Sequence, residues 1–152
     1  MTTLEISAGT MLLFSGLWAG AVVAATVERA PIWALMPVDQ YVVDFRRSLV
    51  RLGPLLAVMG LAAAASAVVF ALHSSGAARS FSIAGVAGFV LVVLGSIVFV
   101  APIESAFRRR PEGEIPDGAL ERRRFWRRFH TGRTLLVLAT FACFVAAVLQ
   151  AV

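Results

Sequence analysis

In the stretch WRRFHTGRTLLV, a tryptophan, a histidine and an arginine recur at i, i+4 and i+7. One helical face therefore carries Trp126, His130 and Arg133 in line with Val137. An aromatic ring, an imidazole and a guanidinium then point the same way where the chain enters an apolar run. Such a face either lines a pocket or joins an interfacial belt, because tryptophan is enriched where bilayers meet water. Arg133 either snorkels to headgroups or pairs with Glu104 or Glu28 across a helical bundle. His130 is a candidate proton donor or acceptor, a metal ligand, or a hydrogen-bonded interface histidine. His130, Arg133 and Glu104 form the candidate reactive set. Trp126, Phe107, Glu28 and Tyr41 form the candidate binding set.

Metal chemistry is limited by ligand supply. The chain has 2 histidines, and His73 falls at the far end of its helix from His130, about 30 Å away across a membrane. The two cannot share a metal or a haem within one protomer. What remains is Glu28, Glu104 and His130, with Asp44 nearby in sequence, a set that lacks a local ExxH spacing. No metal is expected, and a bound one would fall to Glu28, Glu104 and His130. Ser-His-Asp order, Walker loops, GxGxxG and zinc-finger spacing are all missing, which weakens hydrolase and nucleotide-dependent readings. Cys143 is the single cysteine. It sits in an apolar run, has no partner for an intrachain disulfide and reads as a packing residue.

The elements that must position these residues are membrane spans. Hydrophobic residues make up 59% of the 152 positions and charged residues only 15%, against roughly 45–50% apolar in ordinary soluble domains. Four apolar runs, Ile6 to Val27, Leu52 to Leu72, Phe81 to Ile103 and Thr134 to Val152, contain no internal acidic or basic residue. Each is long enough to cross a hydrocarbon core of about 30 Å. Only helices satisfy their backbone hydrogen bonds internally at that depth, so the class is all-α, a four-helix transmembrane bundle forming a single domain over residues 1–152.

All 14 basic residues are arginine, and 13 of them lie in two segments flanking the apolar runs. That placement favours lipid headgroups as partners over nucleic acid. The connection from Glu28 to Arg51 holds four arginines and that from Glu104 to Arg133 holds nine, whereas the turn around His73 to Ser80 holds only Arg79. The positive-inside rule therefore puts the arginine-rich connections in the cytoplasm and both termini outside, in a bacterial inner membrane. Met1 to Thr10 lacks the basic start of a secretory leader, so helix 1 is expected to be retained.

The first connection is punctuated by Pro31 and Pro37, after which DQYVVDFRRSLVR shows helical spacing through Tyr41, Phe45 and Leu49. Helix 2 is thus expected to begin near Asp39 and project from the membrane. The segment Arg108 to Gly118 reads as a mobile loop, and Ala119 to Arg133 as a cytoplasmic extension of helix 4. Small residues (Gly16 with Gly20, Ala62 to Ala65, Ala84 with Gly88) suit tight packing within one bundle or a homodimer face. Because helices 1 and 3 end where helices 2 and 4 begin, Glu28, the Asp39 to Asp44 segment, Glu104 and His130 converge on one end.

The end of the third span and the start of the fourth resemble the DUF1772 class, the anthrone oxygenase-like family of small four-span proteins. In that family an N-x-P-x-N motif closes the third span and a W-x-x-x-[H/N]-x-x-R motif opens the fourth. The second motif stands here as Trp126, His130 and Arg133. The first stands as VAPIE, with Pro102 kept, Val100 at the first asparagine position and Glu104 at the second. The resemblance implies an oxygenase of polyketide type, in which dioxygen oxidises an activated aromatic methylene, as from anthrone to anthraquinone, without an evident nucleotide cofactor. In that reading a hydrophobic substrate enters from the bilayer to a pocket walled by Trp126 and Phe107. His130 serves as base, Arg133 stabilises an enolate, and Glu104 and Glu28 orient these groups. The alternative is a non-enzymatic membrane subunit or small-molecule binder whose polar cluster is an internal ion-pair lock. A transporter is the weaker idea, since no charge lies near mid-membrane.

Overall fold

A computed structural model describes residues 2–111 and 114–151. Four long helices make up the fold: α1 (Thr3–Leu35), α2 (Val38–His73), α3 (Gly76–Arg108) and α4 (Ala119–Leu149). They run up, down, up, down. Each packs on its sequence neighbours, and α4 closes the ring against α1. All four are long and apolar enough to span a membrane. In no helix is more than 39% of the most apolar window buried inside the bundle. Leu17, Leu55, Leu61, Leu91, Ile97 and Leu135 all point outward. So much contiguous exposed apolar surface needs lipid around it, and the protein is an integral membrane protein.

Packing changes character along the bundle axis. The end nearest the termini is built from Met11, Ala67, Phe70, Ala78, Phe144 and Ala147. There small residues let backbones approach, and a Cβ on Gly85 would overlap the Phe144 ring. Gly85→Ala is expected to destabilise the bundle by about 1–3 kcal/mol, because the buried ring must leave its rotamer. Thermal unfolding in detergent reads this directly. Gly16 and Gly88 likewise pack inside the bundle, against Phe141 and Thr140, whereas a Cβ on Gly20 would meet nothing. The middle layer holds Trp18, Val22, Met59, Val92 and Val137. The opposite end, where the arginines gather, is aromatic: Trp33, Tyr41, Phe45, Phe107 and Trp126.

Two prolines expected to punctuate helix ends do not end them. Ala30-Pro31-Ile32 and Ala101-Pro102-Ile103 are the same tripeptide near the ends of α1 and α3. Each is preceded by a π-helical turn, Ala25–Arg29 in α1 and Ser96–Val100 in α3. Proline lacks the N–H that continues an α-helical ladder. The wider turn resets the register just ahead of it, with the Ala30 and Ala101 N–H groups bonding five residues back to the Ala25 and Ser96 carbonyls. Consequently α1 runs on to Leu35 and α3 to Arg108, beyond the apolar runs that ended at Val27 and Ile103.

The first true break is at Met36 and Pro37, and α2 starts at Val38, one residue from the expected Asp39. Arg123 of α4 seals the break by donating to the Trp33 and Met36 carbonyls at 2.9 and 2.7 Å. In α2, Pro54 is tolerated within the helix, and Arg108 donates to the nearby Leu49 carbonyl at 3.0 Å. Among its described residues the loop before α4, expected to be mobile, is tied down. Arg110 donates to Glu114 at 2.6 Å and to Asp117 at 3.0 Å, and its own carbonyl accepts from Arg46 at 2.8 Å. The Glu114 hydrogen bond, followed by the Asp117 charge, holds the Arg110 guanidinium above its ordinary value. Glu112 and Gly113 of this loop lie outside the described residues.

Candidate functional site

The register of α4 turns the Trp126, His130, Arg133 and Val137 face inward. Trp126 is 5% exposed and His130 only 2%, so Trp126 is a wall of the interior and not part of an interfacial belt. The Trp126 and His130 rings stack at 4.4 Å with 11° between their planes. Arg133 lies one turn further on and donates from Nη2 to His130 Nδ1 at 2.8 Å. A guanidinium only donates, so Nδ1 is the accepting nitrogen and the imidazole proton sits on Nε2. Nε2 is buried and has no hydrogen-bond partner among the described residues. It is a donor held ready.

The two π-helical turns supply the surroundings of this pair. Thr26, in the first, bonds back to the Val22 carbonyl at 2.9 Å and meets the Thr134 hydroxyl at 2.7 Å. Thr134 in turn donates to the His130 carbonyl at 2.8 Å. Ser96, in the second, bonds back to the Val92 carbonyl at 2.7 Å, and its hydroxyl lies 3.5 Å from Arg133 Nη1. Both turns thus place a hydroxyl against the same two consecutive residues of α4, Arg133 and Thr134. Ser96 contacts the guanidinium from α3, while Thr26 meets Thr134, the hydroxyl on the His130 carbonyl, from α1.

Around them lies a cavity of about 390 Å³, within the size range of small-molecule sites. Its walls are mostly apolar, and Glu104 is the one carboxylate among the described residues that line it. Glu104 feels the positive charges of Arg108 and Arg133. Its Arg133 neighbour nonetheless bonds His130 and Ser96, and no ion pair closes within 4 Å between Glu104 and Arg133. The cavity therefore combines an imidazole N–H, a guanidinium and an uncommitted carboxylate at the arginine-rich end, with hydrocarbon walls beyond.

The expected binding residues separate into three groups. Trp126 lines the cavity with Glu104, His130 and Arg133. Phe107 and Tyr41 do not. They form a packed layer next to it, with Phe107 5.0 Å from Phe45 and 5.8 Å from Tyr41. The reason is the continuation of α3 past Pro102, which carries Phe107 onto the projecting start of α2. Tyr41 is fully buried there, its hydroxyl without a hydrogen-bond partner and Arg123 5.2 Å above its ring.

Glu28, within the first π-helical turn, is exposed and away from the cavity, on the side of α1 opposite its buried face. Its neighbour Arg29 faces Asp44 at 3.5 Å instead. The set of Glu28, Glu104 and His130 is thus not assembled, and among the described residues no three metal-ligating side chains come together. His73 is at the opposite end of α2, with its ring at the Val69 carbonyl.

Sequence reasoning passed over Trp33, Trp18 and Ser96, all of which line the cavity. Trp33 is the hub of the aromatic layer. It sits 5.3 Å from Trp126, 5.2 Å from Phe45 and 6.1 Å from Tyr41, all edge to face, and its Nε1 donates to Asp44 at 2.7 Å. One signal was available, the repeated Ala-Pro-Ile, which puts Trp33 and Glu104 at matching positions after the two prolines.

Fold and site together define a four-span helical membrane protein with an apolar cavity that is polar at one end. The anthrone oxygenase family model matches residues 45–143, and the chain belongs to that family. The matched stretch holds Glu104, Trp126, His130 and Arg133; Trp18 and Trp33 precede it. No curated protein and no solved structure matches the chain.

Proposed function

We propose that this protein is a membrane-embedded oxygenase that takes a hydroxylated polycyclic aromatic of anthrone type from the bilayer and oxidises its activated methylene to a carbonyl. The observation that carries the reading is the cavity in which a carboxylate, an imidazole N–H and a guanidinium meet beside stacked aromatic rings. Such a methylene is acidic because its carbanion is an enolate spread over the fused rings, with charge on the ring oxygen. Glu104 is the group placed to take the proton. His130 donates from Nε2 to the oxygen that gains charge, and Arg133 holds the imidazole in that tautomer while adding its own positive charge. This reassigns the base from His130, whose accepting nitrogen is occupied by Arg133. The electron-rich carbanion then reacts with dioxygen. One oxygen atom becomes the new carbonyl, the other leaves as water with the two methylene hydrogens, and the electrons lost by carbon reduce dioxygen.

The other reading is a non-enzymatic subunit or binder with an internal ion-pair lock. The Arg133–His130 bond, formed in place of a closed Arg133–Glu104 pair, favours the enzyme. By the positive-inside rule we place the arginine-rich end in the cytoplasm, and the membrane as a bacterial inner membrane.

The direct test is purified protein with a dihydroxyanthrone under oxygen, followed by the rise of quinone absorbance. His130→Phe keeps a ring on Trp126 and removes the donor, and it is expected to lower turnover by about 10²–10³-fold. Unchanged turnover in that variant, with folded protein shown by size-exclusion chromatography, overturns the proposed mechanism.

A further inference from the structure

The cavity is long, and it is polar at only one end. Its lining on α2 runs from Ser48 to Leu61, which at 1.5 Å per residue is about 20 Å along the bundle axis. The charged groups, Glu104, His130 and Arg133, sit at the arginine-rich end. The other end, at Trp18, Leu56, Leu61 and Phe89, has no polar side chain except the Trp18 indole.

The cavity is also open sideways. Four of its lining residues, Leu52 and Leu61 on α2 and Val93 and Ile97 on α3, are 37–60% exposed on the outside of the bundle. At this depth the outside is hydrocarbon. The gap between α2 and α3 is therefore a slot facing the acyl chains, not a closed chamber.

We propose that the ligand is a hydroxylated aromatic ring bearing an apolar tail, with the ring at Trp126, His130 and Glu104 and the tail lying along the α2–α3 slot into the bilayer. This deepens the functional reading above and rests on it. A compact tail-less ring fills only the polar end and leaves the Leu56 to Leu61 stretch without contacts. A phospholipid suits the slot but not its head, because its phosphate meets the Glu104 carboxylate beside Arg133. A neutral ring oxygen accepts from His130 Nε2 and leaves Glu104 facing the C–H it deprotonates.

The chain's 3 tryptophans, Trp18, Trp33 and Trp126, all line this cavity, so intrinsic fluorescence of the full-length protein in zwitterionic nanodiscs reports binding. The probes are a dihydroxyanthrone and the same ring carrying a decyl chain, compared at equal concentration within the lipid. The tailed ring is expected to bind about tenfold tighter. Ala57→Phe, a change on the exposed rim of the slot, is expected to erase that preference and to leave the affinity of the tail-less ring unchanged. A tail brominated at its end is expected to quench wild-type emission more than that of Trp18→Phe, since Trp18 stands at the apolar end. Equal affinity for the two rings in the wild type, or a preference that survives Ala57→Phe, overturns the tail while leaving the ring site standing. Failure of both rings to bind overturns the functional reading itself. A copurified phospholipid that the tailed ring does not displace also counts against the proposal.

Discussion

Glu104→Gln is expected to lower turnover of a dihydroxyanthrone by about 10²–10⁴-fold, the usual contribution of a positioned general base, while ring binding changes little. Glutamine keeps the size and hydrogen-bonding capacity of the side chain but cannot accept the methylene proton. The distinction from a structural role lies in how the loss divides. A base removed from the cavity lowers kcat and leaves KM near its original value, because the lost interaction belongs to the transition state. A broken ion-pair lock would lower thermal stability instead. The geometry favours the first outcome, since Arg133 is committed to His130 and Ser96. An anthrone acidic enough to be ionised before binding, assayed at mildly basic pH, supplies a further control. Once the enolate is already formed, the Gln variant should recover much of its rate. Lack of recovery, with a fall in melting temperature, would identify Glu104 as scaffold.

The second large effect concerns the aromatic layer. Trp33→Ala is expected to cost about 3–5 kcal/mol of stability, the range for truncating a buried tryptophan, because a void opens where three ring edges met. Trp33 is 2% exposed and touches Tyr41, Phe45 and Trp126. Its loss also removes the donor to Asp44, leaving that carboxylate with Arg29 at 3.5 Å. Trp33→Phe separates the two contributions. It keeps most of the ring contacts and drops the hydrogen bond to a charged group, so about 1.5–3 kcal/mol should be lost. Thermal unfolding of both variants in one detergent measures the difference. If Trp33→Ala melts with the wild type, the layer does not hold the arginine-rich end together. The Trp126 and His130 stack would then have to be positioned by α4 alone.

Much of the architecture is a local matter and was legible in the chain. Arginine-free apolar runs mark hydrocarbon because a charge there costs several kcal/mol whatever its neighbours are. Four such runs therefore mean four spans before any packing is known. The start of α2 could be read to within a residue, since Pro37 ends one ladder and the period of Tyr41, Phe45 and Leu49 starts the next. The stripe of Trp126, His130 and Arg133 follows from helical periodicity alone.

Which way that stripe looks is another matter. Periodicity puts residues on one face, but only the neighbouring helices decide whether the face meets headgroups or a cavity. Here the hydroxyls of Thr26 and Ser96 hold it inward. Two expectations are displaced: Glu28 lies on the outer side of α1, and Phe107, carried past Pro102, joins the aromatic layer next to the cavity. A π-helical turn adds a residue to the register, rotating everything after it by about 100°. The turns at Ala25–Arg29 and Ser96–Val100 form because proline withholds a donor while the bundle still rewards continued helix. That is a balance between a local defect and distant packing. Span number and the reactive face were thus set by chemistry each residue carries with it. The cavity, its tautomer and its lone carboxylate depend on helices meeting at particular rotations, which tertiary structure alone decides.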